Sequence, residues 1–137
     1  MRKTVYDCSV IELERHSSQR LGNLSVVESC KSLPFDIKRV FFIFDVPGGE
    51  SRGGHSHKNI SEFIVAASGS FTVTLDDGHN RRKVMLNRPY LGLLVHPGIW
   101  LTLEDFSSGA VALVMTSDHF DAEDHIKDYE QFKRTIE

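Results

Sequence analysis

His55 and His57 stand one residue apart in the stretch Gly49 to Gly69, GESRGGHSHKNISEFIVAASG, and Glu62 follows them. In an extended strand, side chains two apart lie on the same face. The two imidazoles therefore point into one space while Ser56 points away. Such a pair in a buried pocket suits metal binding, or proton movement on a small molecule. Two solvated histidines in a polar loop are the plain alternative. The flanking pattern weighs against it, since a glycine-rich turn leads in and an apolar run closed by Gly69 leads out.

The elements that must carry this stretch read as β-strands. Short apolar runs recur about every ten residues between turn signals, the pattern of an all-β sandwich or barrel. The expected strands are Val10 to Leu13, Leu24 to Glu28 after a turn at Gly22-Asn23, Val40 to Val46, Phe63 to Ala67 and Phe71 to Leu75. Lys83 to Leu86, Leu91 to Val95, Ile99 to Leu103 and Ala110 to Met115 complete the set. Phe71, Val73 and Leu75 alternate with Thr72 and Thr74, which gives one buried and one wet face. Asp76-Asp77-Gly78 suits a hairpin turn that needs positive φ. From Ala122 to Ile136 the period changes. Ile126, Tyr129, Phe132 and Ile136 recur at three- and four-residue steps, which predicts an amphipathic helix with Asp121 as its cap and no chemical role.

VFFIFDV and FIVAAS are apolar on both faces, whereas an antiparallel strand with one wet face alternates. Both faces need cover, and a homodimer supplies it; the tail helix is the alternative cover. At 137 residues the chain reads as one domain, 1–137, able to bury a core without staples. A net charge of −3 with no basic stripe speaks against nucleic acid or an anionic membrane. No apolar run approaches the roughly 20 residues of a membrane span, and the first residues lack a signal-peptide core. Cys8 and Cys30 are isolated, so free thiols in a reducing, cytoplasmic compartment are expected.

Gly49, His55-x-His57, Glu62 and Gly69 match the first motif of the cupins, small jelly-roll β-barrels, in all their gaps. The second cupin motif ends on a histidine; here His96-Pro97-Gly98-Ile99-Trp100-Leu101 ends on leucine. GNLSVVES, PFDIKRVFFIFDVPGGESRGGHSHK, SGSFTVTLDDG, LNRPYLGLLVHPGIW, FSSGAVALV and DAEDHIKDYEQF together resemble the WxcM-like sugar 3,4-ketoisomerases, across about residues 22 to 133. The resemblance implies an all-β cupin jelly roll with one C-terminal α-helix. It implies an isomerase acting on dTDP-4-keto-6-deoxyglucose, moving the ketone from C4 to C3 with no metal or organic cofactor. Its products feed deoxysugars into bacterial surface polysaccharides. It makes His55 the catalytic base and His57 the partner that shuttles the proton or polarises the carbonyl. A histidine near its ordinary pKa can take and return a proton at neutral pH, worth about 10²–10⁴-fold. Arg52 is a candidate for the enediolate or the diphosphate. Lys58, Asn87 and Arg88 are further substrate-binding candidates, with solvated side chains as the plain alternative. Trp100 could stack on a base or sugar, against the plainer reading of a core aromatic.

The chain departs from that family at three places. Phe41, Phe42 and Phe44 stand on a strand where the family carries tyrosines, so a phenol donor near the sugar is missing. Loss of one oxyanion donor costs about 10²–10³ in rate unless another group replaces it. Leu101 replaces a polar or basic residue. Glu62 replaces a glutamine and opens a rival reading, in which His55, His57 and Glu62 form a two-histidine, one-carboxylate face for a divalent metal. A buried Glu62 could instead pair with Arg52, or accept a hydrogen bond from a histidine and orient it. A non-catalytic nucleotide-sugar binder is the third possibility. His16, His79, His119 and His125 are assigned to the surface or tail, and His96 to a structural contact.

Overall fold

The computed structural model describes residues 2–137. A 3-10 turn, Val5–Asp7, leads into β1 (Ser9–Glu12), β2 (Glu14–Ser18), β3 (Gly22–Val26), β4 (Arg39–Ile43), β5 (Arg52–His57) and β6 (Glu62–Ser68). Then come β7 (Phe71–Asp76), β8 (Arg81–Leu86), β9 (Leu91–Val95), β10 (Trp100–Glu104), β11 (Val111–Thr116), β12 (His125–Ile126) and α1 (Tyr129–Arg134). One sheet runs β1-β9-β6-β11-β4, the other β12-β5-β10-β7-β8, and β2 with β3 forms a separate hairpin. Two antiparallel sheets facing each other are the sandwich expected of the strand pattern and the jelly roll implied by the family resemblance.

Alternation decides which side chains meet between the sheets. Ile64 and Ala66 of β6, Phe71, Val73 and Leu75 of β7, and Ala112 and Val114 of β11 share the buried inter-sheet core. Their neighbours Phe63, Val65 and Met115 point the other way, yet they are also buried, against Leu13, Leu33 and Leu94. Phe35 and Ile37 pack on that second layer. The doubly apolar FIVA run is thus covered on both faces within one chain, by the segments around Leu13 and Leu33. The tail helix does not supply that cover. The same outer face continues onto edge strand β4, where cover stops: Val40 and Phe42 are 53% and 59% exposed, and Phe44 beyond the strand is 57% exposed.

Local chemistry sets the boundaries. Gly69 turns the chain between β6 and β7 with φ +66°, and a Cβ there would run into Ser107 and Ala110. β2 escaped the sequence reading because Glu14, Arg15, His16, Ser17 and Ser18 are polar and wholly exposed, with no apolar alternation to detect. It pairs with β3 through Gly22, so the turn lies before Gly22-Asn23 and not at it. The tail differs most. The helix begins only at Tyr129, capped by Asp128, whose carboxylate accepts the Glu130 N–H. Before it, His125 and Ile126 form β12, paired with His57 and Ser56. Ile126 is buried as an amphipathic helix would have required, so the spacing held although the backbone there is extended. Among the described residues no helix is long and apolar enough to cross a membrane.

Candidate active site

Three strands deliver the site. β5 carries His55 and His57 on one face, β12 lies beside β5 with His125 opposite His57, and Glu62 opens β6 in the facing sheet. Glu62 shares its face with Ile64 and Ala66, so it reaches into the inter-sheet space from the opposite side. His55, His57 and His125 have ring centroids 5.1–5.2 Å apart, and His57 stacks on His125 at 22°.

Hydrogen bonds fix which ring nitrogens carry protons. Glu62 Oε1 lies 2.9 Å from His55 Nε2, and Glu62 Oε2 lies 3.8 Å from His57 Nε2. Burial pushes the Glu62 carboxyl up, but the bonds and charges of His55 and His57 outweigh it and hold the group at about 2. An ionised carboxylate only accepts, so His55 donates through Nε2 and its neutral ring keeps the lone pair on Nδ1. His57 Nδ1 sits 3.0 Å from Asp124 Oδ2. The His57 ring therefore presents Nε2 to the site. Burial pushes His57 down, yet Glu62 and then Asp124 pull it above its ordinary value. His125 goes the other way: burial, and then the charges of His55 and His57, lower it.

These rings sit in a cavity of about 800 Å³, a size that suits a small organic ligand. Arg39, Phe41, Arg52, Leu101, Phe120 and Lys127 share its wall with the histidines and Glu62. The Arg39 guanidinium lies over Phe41 at 4.6 Å and Phe120 at 5.2 Å, a flat cation held between two rings. Phe41 brings no hydroxyl, and the three cations Arg39, Arg52 and Lys127 are the donors that face the space instead. Leu101 pairs directly with His55 across β10 and β5, so the last position of the second cupin motif is filled by a buried hydrocarbon.

The structure therefore brings His55, His57, Glu62, Arg52 and Phe41 together. It leaves out four sequence candidates. Lys58 is exposed outside the cavity, with its backbone N–H bound to Asp124 O. Asn87 and Arg88 are exposed just past β8, the edge strand of the histidine-bearing sheet on the far side from β12, and Arg88 donates to the Asn87 carbonyl. Trp100 faces away from the histidines, packed against Tyr129 and Phe132 of α1 at 5.3 and 5.7 Å. It seats the helix, because Gly54 leaves room for its ring. Glu62 bonds His55 rather than Arg52. His96 makes the expected structural contact, its Nε2 2.9 Å from Asp7 O.

Sequence reasoning missed Arg39, Phe120, Asp124, His125 and Lys127. Arg39 was legible, being two residues from Phe41 on a recognised strand. The other four were hidden by reading the tail as a helix from Ala122, or as a surface segment before it.

Comparison with known proteins agrees with this geometry. The model of the family described as FdtA: WxcM-like, C-terminal, matches residues 6–137. A TDP-4-oxo-6-deoxy-alpha-D-glucose-3,4-oxoisomerase of Aneurinibacillus thermoaerophilus is 44% identical over 115 residues, 84% of this chain and 83% of that one. The WlaRB TDP-quinovose 3,4-ketoisomerase of Campylobacter jejuni superposes with a TM-score of 0.88 at 39% identity, covering 95% and 99% of the two chains. QdtA, a sugar 3,4-ketoisomerase of Thermoanaerobacterium thermosaccharolyticum solved with TDP, gives 0.91 at 31% identity over 96% of both. With its jelly roll, its paired imidazoles and this match over nearly its whole length, the chain belongs to the WxcM-like sugar 3,4-ketoisomerase family of cupins.

Proposed function

We propose that the protein is an isomerase of TDP-linked keto sugars, moving the ketone of TDP-4-keto-6-deoxyglucose from C4 to C3. The observation that carries this reading is the His55–His57 pair, with the proton positions of both rings set by buried carboxylates. His55 Nδ1 takes the proton from C3. The C–H electron pair becomes the C3–C4 double bond, and the carbonyl pair moves onto O4. His57, held toward its protonated form, donates through Nε2 to that oxygen, and Arg39 and Arg52 offset the developing charge. His55 returns the proton at C4 while O3 passes its own proton to His57 Nε2, so both rings regain their starting states and the ketone re-forms at C3 with no net oxidation. No step of this sequence requires a metal or an organic cofactor.

A QdtA variant has been solved with TDP-4-keto-6-deoxyglucose, at 30% identity to this chain, which supports a substrate of that class. The test is incubation with TDP-4-keto-6-deoxyglucose in D₂O after chelator treatment, following C3 and C4 by NMR. Deuterium at C4 and a 3-keto product are expected. No exchange and no product would end the isomerase reading.

The protein works as a homodimer in this proposal. The bare Val40–Phe42 face and a β2–β3 hairpin exposed at every residue but Val26 both support a partner. An isolated two-stranded hairpin is marginal in water. Unpaired Cys8 and Cys30 suit a reducing cytoplasm, and the family resemblance supports a role for the product in surface-polysaccharide synthesis.

A further inference from the structure

Position 101 is where the second cupin motif ends, and here it is a buried leucine facing His55. A third imidazole nevertheless arrives from elsewhere. β12 is only two residues long, yet its pairing with β5 sets His125 directly opposite His57. One ring nitrogen each from His55, His57 and His125 lies within 4.8 Å of the others. Two donors about 2.1 Å from a tetrahedral ion stand roughly 3.4 Å apart, so small ring rotations would close this triangle on one ion.

The surroundings prepare the rings for that task. Glu62 holds the Nε2 edge of His55, and Asp124 holds the Nδ1 edge of His57. Asp124 lies behind the His57 ring, and a carboxylate so placed fixes the tautomer and strengthens the opposite nitrogen as a ligand. Glu62 also reaches to 3.8 Å from His57 Nε2. The third ring carries the independent sign: His125 Nδ1 is buried with no hydrogen-bond partner. A buried ring nitrogen left unpaired costs free energy that a ligand would recover. The cavity supplies an open side for a fourth, exchangeable ligand.

We infer that His55, His57 and His125 form a three-imidazole site for a borderline divalent cation of the Zn²⁺ or Co²⁺ class, built with a histidine from β12 in place of one at position 101. Binding takes the lone pairs that proton relay would use, so the ion and isomerisation compete. That competition rests on the isomerase reading; the binding does not.

The test titrates chelator-treated protein with Co²⁺ in the absence of any sugar nucleotide. Wild type is expected to show the intense ligand-field absorption of four-coordinate Co²⁺, displaced by one equivalent of Zn²⁺. Replacing exposed His119 by asparagine should leave it unchanged. Asp124→Asn should weaken binding about 10–100-fold, as loss of a supporting carboxylate does. His125→Phe and His125→Gln should each weaken it at least as far, with unfolding midpoints of the apo proteins compared to show that both fold. A spectrum of the hydrated ion only, or equal affinity in both folded His125 variants, overturns the site. Turnover of TDP-4-keto-6-deoxyglucose should fall to below a tenth with one equivalent of Zn²⁺. Turnover unchanged or raised by the bound ion overturns the competition. If chelated protein shows no turnover at all, the isomerase reading fails, and the Co²⁺ spectrum still decides the site.

Discussion

Asp124 Oδ2 lies 3.0 Å from His57 Nδ1, a contact that joins residues 67 positions apart. The other oxygen of the same carboxylate accepts the Asn59 N–H at 2.7 Å. One side chain from the tail therefore anchors the loop after β5 and sets the proton on the second histidine. Asp124→Asn keeps the size and removes the charge. Turnover should fall about 10–100-fold, as supporting carboxylates of functional histidines typically show. KM should change little, because Asp124 faces the ring rather than the cavity. Burial pushes His57 down while Glu62 and Asp124 raise it, so the variant's alkaline limb of kcat/KM should move to lower pH. An unmoved limb would show that His57 is not the group that titrates there.

The dependence of the site on Asp124 also explains what the sequence could and could not reveal. The motif glycines, His55, His57 and Glu62 lie within 21 residues, and their gaps alone announce the pocket. Asp124 and His125 have no such local signature. Helical spacing of Ile126, Tyr129 and Phe132 is compatible with burial of all three, but it does not register that the backbone is extended until Asp128. Pairing of β12 with β5 is a long-range contact, and only tertiary structure turns that period into a strand. Trp100 failed for a related reason: its alternate neighbours Leu101 and Leu103 face the core, so Trp100 faces outward to α1.

Glu62 and His57 make stability depend on pH in opposite senses. Burial raises Glu62, but the two histidines hold it near 2 against an ordinary 4.5. Its contribution is complete above 4.5 and fades as pH falls toward 2. His57 is raised above 6.5 in the fold, so its contribution is complete below 6.5 and fades as pH climbs through the raised value. The midpoint of thermal unfolding should peak between 4.5 and 6.5 and decline on both sides. In Glu62→Gln the acid decline should flatten. A midpoint that keeps rising above 6.5 contradicts the sign assigned to His57.

Gly54 is required by space rather than by backbone conformation. A Cβ there would overlap the Trp100 ring, which is itself backed by Tyr129 and Phe132. Gly54→Ala should cost about 1–3 kcal/mol, the usual range for overpacking a well-filled site. Chemical denaturation measures it. Because His55 is the next residue, turnover should drop as well. Trp100→Leu in the same chain should recover part of the stability, giving a non-additive pair. Strictly additive losses would mean that the ring moves aside freely and that the helix seat is loose.

Val40, Phe42 and Phe44 leave an apolar stripe on the edge of the first sheet, with the Phe42 and Phe44 rings 5.7 Å apart. Edge strands with bare apolar faces invite association unless something covers them. The outer layer around Phe63, Val65 and Met115 ends at this strand, so a second copy would extend a core that one chain leaves incomplete. Phe42→Glu sets a charge in the middle of the stripe, on the face of β4 opposite Arg39 and Phe41, where Phe42 also borders the rim of the cavity. Sedimentation at micromolar protein should show wild type at twice the chain mass and Phe42→Glu at the chain mass. A wild-type monomer with a dispersed, stable hairpin would remove the dimer and leave β4 as a binding face of another kind.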